Sequence, residues 1–457
     1  MTTRALLVLL SISISACGGE LLGGGAGDLG GAPPTGSPDL AGGPPPTGGS
    51  DGGVVDPMTP GAPDGPALYP AGARHSPVTA RVAARWQAIV GAKSRSPKSF
   101  VRLGDNLSHE VHLLGCADRA STLTLGAFSS LSPTVDWFRG GSINGASPFA
   151  YVRDLENMST DAALEGAPNL VAQEIAAGNP AFALVMFGSL DLGWAGEWQP
   201  SAATDGNVVD RFGPNLLEIV DQLIAEGVLP LVRTIAPVGK SNNGPWNRRQ
   251  TLVNALTRAV AAGRAIPFAD FAIDAAPLGP EAYWSDGLHL SAAPGGACVF
   301  TPDGMKYGDD AMGRIALEQL DRARRAALAK EVLDPTAATI PGDGTRARPY
   351  EIGAVPFGTM GDVNGAGGEV VYRLTVTATT RVRVLLFDAK RSPVATRLTH
   401  VVGGATRRSN ATTLALELEP GVHDFVVGGG SAGGPRAEFG FAVDRCDTDV
   451  ADCTPDR

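Results

Sequence analysis

The chain has 457 residues, with 37 Lys and Arg against 47 Asp and Glu, a net charge of -10 and a pI near 5.2. This length is sufficient for two or three domains, each with its own core. The sequence contains no basic cluster, whereas phosphate backbones and anionic headgroups are bound by concentrated Lys and Arg. The composition therefore argues against a nucleic-acid partner.

The N-terminus has the pattern of an export signal, with Met-Thr-Thr-Arg followed by a short apolar segment over 5–16. A membrane span requires roughly 20 apolar residues, which this segment lacks. It ends in Ile-Ser-Ala before Cys17, and this ending resembles the bacterial lipobox, where the signal is cleaved before a lipid-bearing cysteine. We expect residues 1–17 to form a lipoprotein signal with Cys17 as the lipid attachment site. An ordinary signal with an incidental cysteine is the alternative.

A lipid anchor would make the membrane a partner and would place the chain in the bacterial cell envelope, on the periplasmic or the cell-surface face. Four other cysteines then remain, and they allow three pairings. Export favours disulfides over free thiols. Cys446 and Cys453 are close in sequence and are predicted to pair, which leaves Cys116 with Cys298. No Cys-x-x-Cys or Cys/His ligand spacing occurs, so neither a metal nor another cofactor is expected.

Composition divides the mature chain into segments. Residues 18–66 are mostly Gly, Pro, Ser, Ala and Asp, and such a segment is predicted to be a disordered tether. Residues 67–330 alternate between helical and strand patterns. Residues 331–348 are predicted to be a linker, residues 349–445 a small antiparallel β-sandwich, and residues 446–457 a cysteine-containing tail.

Hydrophobic periodicity in the first of these regions predicts repeated βα units and therefore a mostly parallel sheet with helices on both faces. The predicted helices cover 78–90, 216–225, 252–262 and 312–328, and the predicted strands cover 100–103, 182–187, 229–235 and 266–271. In the C-terminal region the predicted strands cover 369–377, 381–387, 412–418, 423–427 and 439–443.

The first predicted strand ends in Gly104-Asp105-Asn106-Leu107-Ser108. Open α/β sheets bind their ligands at the carboxyl ends of such strands. This segment resembles the first sequence block of the SGNH, or GDSL-type, ester hydrolases, and the family places its nucleophilic serine at the position of Asn106. The resemblance implies a flavodoxin-like three-layer fold for residues 67–330.

Three further blocks extend the resemblance. The segment 143–147 resembles the block whose glycine N–H binds the oxyanion, with Gly145 as the match and Gly141 as an alternative. Residues 188–191, Gly-Ser-Leu-Asp, match the Gly-x-Asn-Asp block, but Leu190 stands where the asparagine belongs. Residues 286–289, Asp-Gly-Leu-His, match the Asp-x-x-His block.

The resemblance implies that Asp286 orients His289, and that His289 would take the proton of a serine at position 106. A carboxamide at Asn106 is not a useful nucleophile, and losing the nucleophile costs on the order of 10⁶ in turnover. Leu190 removes an oxyanion donor, which costs about 10²–10³. The sequence therefore predicts that serine-type hydrolysis is lost or strongly reduced. Asp105 and Asp191 are predicted to lie at the substrate pocket beside these two positions.

Other interpretations of the same residues stay open. Ser108 is either a displaced nucleophile or, as we expect, a capping serine. His289 could activate water directly as a general base, or pair with Asp286 for structure only. His-Glu-Val-His at 109–112 has its histidines three apart, not four as in zinc proteases, so a solvated helix face is expected there.

By resemblance, the substrate class is an acyl or acetyl ester of a lipid or polysaccharide. The alternatives are a non-catalytic protein that binds a glycan or acyl chain at the cell surface, and a weak esterase that uses water activated by His289. The C-terminal region, with Glu-Pro-Gly at 419–421, resembles the bacterial pre-peptidase C-terminal β-sandwich, which implies an accessory role.

Overall fold

A parallel sheet lies at the centre of the α/β part of the computed structural model. Its described strands are β1 (Ser96–Gly104), β2 (Pro180–Met186), β3 (Leu229–Arg233) and β4 (Phe268–Ala269), and they lie in the order β1-β2-β3-β4. The structure describes residues 66–109, 112–151, 158–194, 208–237, 244–363, 368–392, 395–429 and 437–446. The predicted signal, Cys17 and nearly all of the predicted tether lie outside these residues.

The register of the parallel strands places the segments that follow β1, β2 and β3 at one edge of the sheet. Leu103 pairs with Val185, and Val185 pairs with Val232. Because the strands are parallel, the segments after Gly104, Met186 and Arg233 emerge side by side. β2 is buried along its whole length, as its continuous apolar sequence predicts for a central parallel strand.

Helices cover both faces of the sheet, which confirms the predicted α/β architecture. They are α1 (Ala80–Gly91), α2 (Ser132–Arg139), α3 (Thr160–Leu164), α4 (Leu170–Gly178), α5 (Gly213–Ala225), α6 (Gly244–Arg264), α7 (Phe271–Ala275) and α8 (Gly308–Ala327). On one side α1 and α2 pack against α8, and on the other α5 packs against α4 and α6. α1 illustrates the local cause: the Thr79 side chain caps its first turn, and Trp86 and Ile89 are buried.

The predicted strand over 266–271 is only partly formed. β4 stops at Ala269, and α7 begins two residues later. The reversal occurs at Asp270, whose backbone N–H donates to the Arg74 carbonyl and whose carboxylate is bound by Arg258. The buried ion pair removes Asp270 from the strand direction, so the apolar run continues as a helix.

The C-terminal region forms the predicted sandwich of two sheets, which are antiparallel except for one short parallel pair at an edge. Its strands are β5 (Tyr350–Glu351), β6 (Phe357–Val363), β7 (Glu369–Val376), β8 (Thr380–Asp388), β9 (Arg397–Val402), β10 (Ala405–Ala411), β11 (Thr413–Leu418), β12 (Gly421–Gly428) and β13 (Ala437–Arg445). One sheet has the order β10-β9-β12-β7-β5, and the other has the order β11-β8-β13-β6. Aromatic side chains from both sheets, Tyr372, Phe425 and Phe441 among them, form the core between them.

The second of these sheets packs directly on α6 of the α/β part. Gly263 lies so close to Met360 that a Cβ atom at this glycine would collide with the Met360 side chain. Phe387 packs against Gly213 in the same way. Met360 and Phe387 belong to the same hydrophobic cluster as the α/β core. The sandwich is therefore joined to the α/β part by a close-packed apolar interface.

One of the two predicted disulfides lies wholly within the described residues and is formed. Cys116 and Cys298 form a disulfide across a sequence separation of 182 residues. Cys446 is also disulfide-bonded, and its predicted partner Cys453 lies outside the described residues. Within the described ranges, no helix has the length and apolar character needed to cross a membrane.

Candidate active site

The turn after β1 is determined by its glycine and its aspartate. Gly104 has a φ of 157°, and a Cβ there would collide with the Met186 carbonyl and the Ser108 side chain. Only glycine is accommodated at such a position. Asp105 then caps the 3₁₀ turn Asn106–Ser108 by accepting a hydrogen bond of 3.1 Å from the Leu107 N–H. The turn presents Asn106 at the carboxyl edge of the sheet.

Asp105 also joins the first block to the third. Its second carboxylate oxygen accepts a hydrogen bond of 3.2 Å from the Ser189 N–H, and its own N–H donates to the Met186 carbonyl. The side chain is buried, at 2% exposure. Burial raises the pKa of Asp105 to about 6, although hydrogen bonds from Ser189 and Leu107 and the charge of Arg233 oppose this rise. Asp105 is therefore a buried residue whose hydrogen bonds link the first block to the third.

Ser108 does not occupy a displaced nucleophile position. Its hydroxyl is buried and donates to the Met186 carbonyl at 3.2 Å. That hydrogen bond attaches the 3₁₀ turn to the end of β2, which is a structural role.

Asp286, His289 and Asn106 form a continuous hydrogen-bonded array. The Asp286 Oδ2 atom lies 2.6 Å from His289 Nδ1, and His289 Nε2 lies 2.6 Å from Asn106 Nδ2. With the Nδ1 proton donated to the carboxylate, Nε2 accepts a hydrogen bond from the carboxamide N–H. Asn106 therefore stands where the proton donor of a serine–histidine–aspartate triad would stand.

Local hydrogen bonds hold the carboxylate in this array. Asp286 Oδ1 accepts the backbone N–H of Leu288 at 2.8 Å and that of His289 at 3.1 Å. Burial alone would raise the pKa of Asp286, but these N–H groups and the imidazole outweigh it and lower the pKa. The carboxylate is therefore ionised near neutral pH and fixes the imidazole orientation.

The third block places an aliphatic side chain where the family has an amide. Leu190 is buried directly after Ser189, and its side chain contains no hydrogen-bond donor. Asp191 accepts hydrogen bonds from the Thr160 N–H at 3.0 Å and from the Thr160 hydroxyl, at the start of α3. Burial raises the pKa of Asp191 to about 6, and the charges of Asp105 and Asp161 add to this rise. Asp191 thus connects this block to α3.

The second block differs from expectation in its local structure. Gly145 lies in a tight turn closed by reciprocal hydrogen bonds between Ile143 and Ala146, and it has a φ of 87°. Between β1 and β2 the described residues form helices, turns and isolated β-bridges, and no described strand of the sheet precedes Gly145 other than β1. The described hydrogen bonds do not join Gly145 to Asn106 or His289. Its oxyanion role therefore stays a prediction, as does that of Gly141.

Two further residues at the site were not predicted. His112 Nδ1 lies 3.1 Å from the Asp309 carboxylate, and its ring centroid is 6.5 Å from that of His289. Trp284 is 52% exposed, and its ring lies 5.2 Å from the His289 ring and 5.8 Å from the His112 ring. The expected solvated helix face is wrong for His112, whose side chain is only 11% exposed. Glu110 lies outside the described residues.

The motif at 109–112 does not form a metal site in the part of the chain that is described. No group of three or more His, Cys, Asp or Glu side chains lies close enough there to bind a metal ion. His112 and His289 are each bonded to a separate aspartate, Asp309 and Asp286. The described residues of the site thus present two imidazoles oriented by aspartates and one carboxamide.

A parallel sheet with an Asp–His pair facing the Gly-Asp turn at its carboxyl edge defines an SGNH/GDSL esterase-like fold. The GDSL-like lipase/acylhydrolase family model matches residues 140–293 of this chain. The match includes Gly145, Leu190, Asp286 and His289 and begins after the turn that contains Asn106. It confirms the predicted resemblance over the segment that contains the second, third and fourth sequence blocks.

Solved structures similar to the two parts of the chain differ strongly from it in sequence. The acetylxylan esterase Axe2 from Geobacillus stearothermophilus is 14% identical and aligns over 49% of this chain and 93% of its own, with a TM-score of 0.31. The pre-peptidase C-terminal domain of a Bacillus anthracis collagenase is 12% identical over 21% of this chain and 92% of its own, with a TM-score of 0.18. The lysozyme inhibitor PliG of Aeromonas hydrophila is 14% identical over 21% and 94%, with a TM-score of 0.17. No curated protein matches the chain.

Proposed function

We propose that this chain is an exported, lipid-anchored protein of the cell envelope that binds an ester-bearing lipid or polysaccharide and no longer hydrolyses it by a serine mechanism. The observation that carries the proposal is the 2.6 Å hydrogen bond between Asn106 Nδ2 and His289 Nε2. It supports an inherited hydrolase site in which a carboxamide has taken the place of the nucleophile.

The chemistry of this contact explains the loss. In a serine hydrolase the imidazole removes a hydroxyl proton while oxygen attacks the acyl carbon. The lone pair of a carboxamide nitrogen is delocalised into its carbonyl, so this nitrogen is a poor nucleophile. His289 therefore has a hydrogen-bond donor but no nucleophile to activate. Leu190 adds a second deficit, because a tetrahedral oxyanion would receive no side-chain donor from that position.

Hydrolysis by water activated at His289 is disfavoured by the same contact. A general base must have its lone pair within hydrogen-bond reach of the attacking water. In the structure that lone pair is directed to Asn106 Nδ2. A water molecule would have to displace the carboxamide and would then attack without the donor missing at Leu190. Binding without turnover is therefore the better-supported function.

A turnover assay on the purified mature protein tests this proposal. We expect no hydrolysis of p-nitrophenyl acetate above the rate of the His289→Ala variant. An Asn106→Ser/Leu190→Asn variant should gain hydrolysis, by at least about 10³-fold if even part of the triad's effect is recovered. Adding His289→Ala to that variant should abolish the gain. Parental hydrolysis that disappears with His289→Ala would contradict the binding function.

The lipid anchor is proposed from sequence and needs its own test. Cys17→Ser should move the protein from the membrane fraction to the soluble fraction, because a signal that ends in serine cannot receive the lipid. Globomycin, which blocks lipoprotein signal cleavage, should leave a longer precursor of the parent protein and should not affect Cys17→Ser. Unchanged fractionation of Cys17→Ser would contradict the anchor.

A further inference from the structure

The most exposed large apolar side chain at the site is that of Trp284, which lies against His112 and His289. The described residues include four exposed large apolar side chains, of which Trp284 is the single aromatic one, at 52% exposure. One side of its indole is packed against His289 and His112. An indole that is supported on one side and open on the other offers a flat apolar surface to a ligand.

Beside this indole lies a second imidazole that is oriented by a carboxylate. His112 Nδ1 lies within hydrogen-bond distance of both carboxylate oxygens of Asp309, at 3.2 and 3.1 Å. Among the hydrogen bonds of the described residues, none uses His112 Nε2. The carboxylate fixes the tautomer with the proton on Nδ1, so Nε2 is an acceptor. Asp309 is almost fully buried, and the pair is therefore held rigidly.

A second acceptor belongs to Asn106, the hydrogen-bond partner of His289. Asn106 donates its Nδ2 to the imidazole, and its Oδ1 atom is buried without a hydrogen-bond partner. An unsatisfied buried carbonyl is destabilising. Because the Oδ1 atom has almost no exposed surface, a ligand hydroxyl would remove that penalty only if the Asn106 side chain shifted. The site thus combines a flat aromatic surface with acceptors that have no partner within the described protein.

This combination fits a sugar ring better than an acyl chain. A pyranose has an apolar C–H face, which packs on an indole, and hydroxyl groups around its edge, which donate to acceptors. An acyl chain would require an apolar lining, whereas the aromatic rings that contact Trp284 are two imidazoles whose carboxylates are Asp286 and Asp309. Burying an alkyl chain against such polar groups would cost their solvation without replacing it.

We propose that Trp284, His112 and Asn106 form a carbohydrate subsite, so that the ligand class of this site is an O-acylated polysaccharide and not a lipid. The inference rests on the proposed binding function and specifies its ligand. In this subsite a pyranose packs on the open face of Trp284. His112 Nε2 accepts a hydroxyl hydrogen bond, and Asp309 acts through His112 as a positioning residue.

Calorimetric titration of the mature protein tests the subsite. The probes are a panel of xylo-, cello- and chito-oligosaccharides, each with and without O-acetyl groups, and octanoate as an acyl probe. We expect at least one oligosaccharide to bind, Trp284→Ala to weaken its binding by at least about tenfold, and His112→Asn to weaken it about fivefold. Asparagine can keep a donor toward Asp309 while removing the Nε2 acceptor.

Matched controls separate local from general effects. Trp137→Ala removes a tryptophan whose partners are Pro97 and Lys98, and His75→Gln alters the His75–Glu318 pair. Both should bind the oligosaccharide as the parent does. Circular dichroism and the midpoint of thermal unfolding check that each variant is folded. A variant that fails this check is replaced by Trp284→Phe or His112→Gln, for which smaller losses are expected.

The outcomes distinguish the two proposals. Oligosaccharide binding that is unchanged in folded Trp284→Ala overturns the subsite and leaves the binding function standing. Octanoate binding without oligosaccharide binding overturns the carbohydrate subsite and leaves the binding function standing. Binding of no probe overturns the subsite. The binding function is overturned separately, by parental hydrolysis of p-nitrophenyl acetate that depends on His289.

Discussion

The two halves of the site are held in different ways. The half that carries Asp286 and His289 is a surface loop, with side chains 35% and 23% exposed, and its geometry comes from hydrogen bonds within four residues. The half that carries Asn106 and Leu190 is anchored in the core through Asp105, which accepts hydrogen bonds from Leu107 of its own turn and from Ser189 after β2. One half depends on local sequence, and the other depends on packing between strands.

Both substituted positions of the site lie in the core-anchored half. Asn106 and Leu190 stand next to the residues that fix the backbone, Asp105 and Ser189, but neither provides those hydrogen bonds. Both halves therefore keep their backbone geometry while the nucleophile and the oxyanion donor are absent. Restoring the two side chains should restore chemistry without rebuilding the fold, and the following predictions test this contrast.

The largest effect on kcat is expected from a substitution in the loop that carries Asp286 and His289. In the Asn106→Ser/Leu190→Asn background, Asp286→Asn should lower kcat for p-nitrophenyl acetate by about 10⁴, because the imidazole loses its tautomer and its counter-charge. Steady-state kinetics measure this directly. A fall of less than tenfold would mean that Asp286 only shapes the loop.

The disulfide offers a way to separate the halves. Cys116 follows the turn that carries Asn106, and Cys298 follows the loop that carries Asp286 and His289. Their bond closes a loop of 182 residues. Cys116→Ser/Cys298→Ser should lower the free energy of unfolding by about 5 kcal/mol in the chain-entropy model. Urea unfolding measures the change, with the parent under reducing conditions as the comparison. An unchanged midpoint would show that packing alone holds the halves together.

The core-anchored half can be tested one residue at a time. Leu190→Asn should raise kcat by about 10²–10³ in the Asn106→Ser background. In the parent it should change nothing, because an oxyanion donor is useless without a nucleophile. Leu190→Ala in the same background is the control for volume. An equal gain with alanine would show that space matters at this position and not hydrogen bonding.

The smallest effect concerns the pH dependence of stability. Burial raises the pKa of Asp191 to about 6 from 3.8, so the folded protein binds more protons than the unfolded chain between these values. The contribution of Asp191 to the free energy of unfolding is fully present below pH 4 and is lost as the pH rises through 6. Asp191→Asn should therefore reduce the fall in unfolding free energy between pH 4 and 7, by at most about 3 kcal/mol.

Asparagine suits this test because Asp191 Oδ1 accepts both bonds from Thr160 while Oδ2 has no hydrogen-bond partner. Chemical unfolding at several pH values gives the slopes. Asp105 and Asp310, whose pKa values are also raised to about 6 by burial, remain in the variant, so some slope should persist. A steeper slope in Asp191→Asn would contradict the assignment.

Much of the fold was predictable because its signals are local. Continuous apolar runs predicted β1, β2 and β3, and helical periodicity predicted α1, α5, α6 and α8 within a few residues, apart from the longer start of α6. Four C-terminal strands, β5, β6, β9 and β10, were missed. The sequences of β9 and β10 are rich in polar residues such as Arg407 and Arg408. Their strand conformation comes from pairing with each other and with β12.

The sequence by itself determined the four blocks, the Asp–His spacing and the absence of a serine at position 106, because each is a property of neighbouring residues. Only the tertiary structure decided that Asn106 contacts His289, 183 residues away, and that His112 pairs with Asp309, 197 residues away. It also decided that Trp284 packs on both histidines. Such contacts depend on how parallel strands align their carboxyl ends, and no local pattern encodes that alignment.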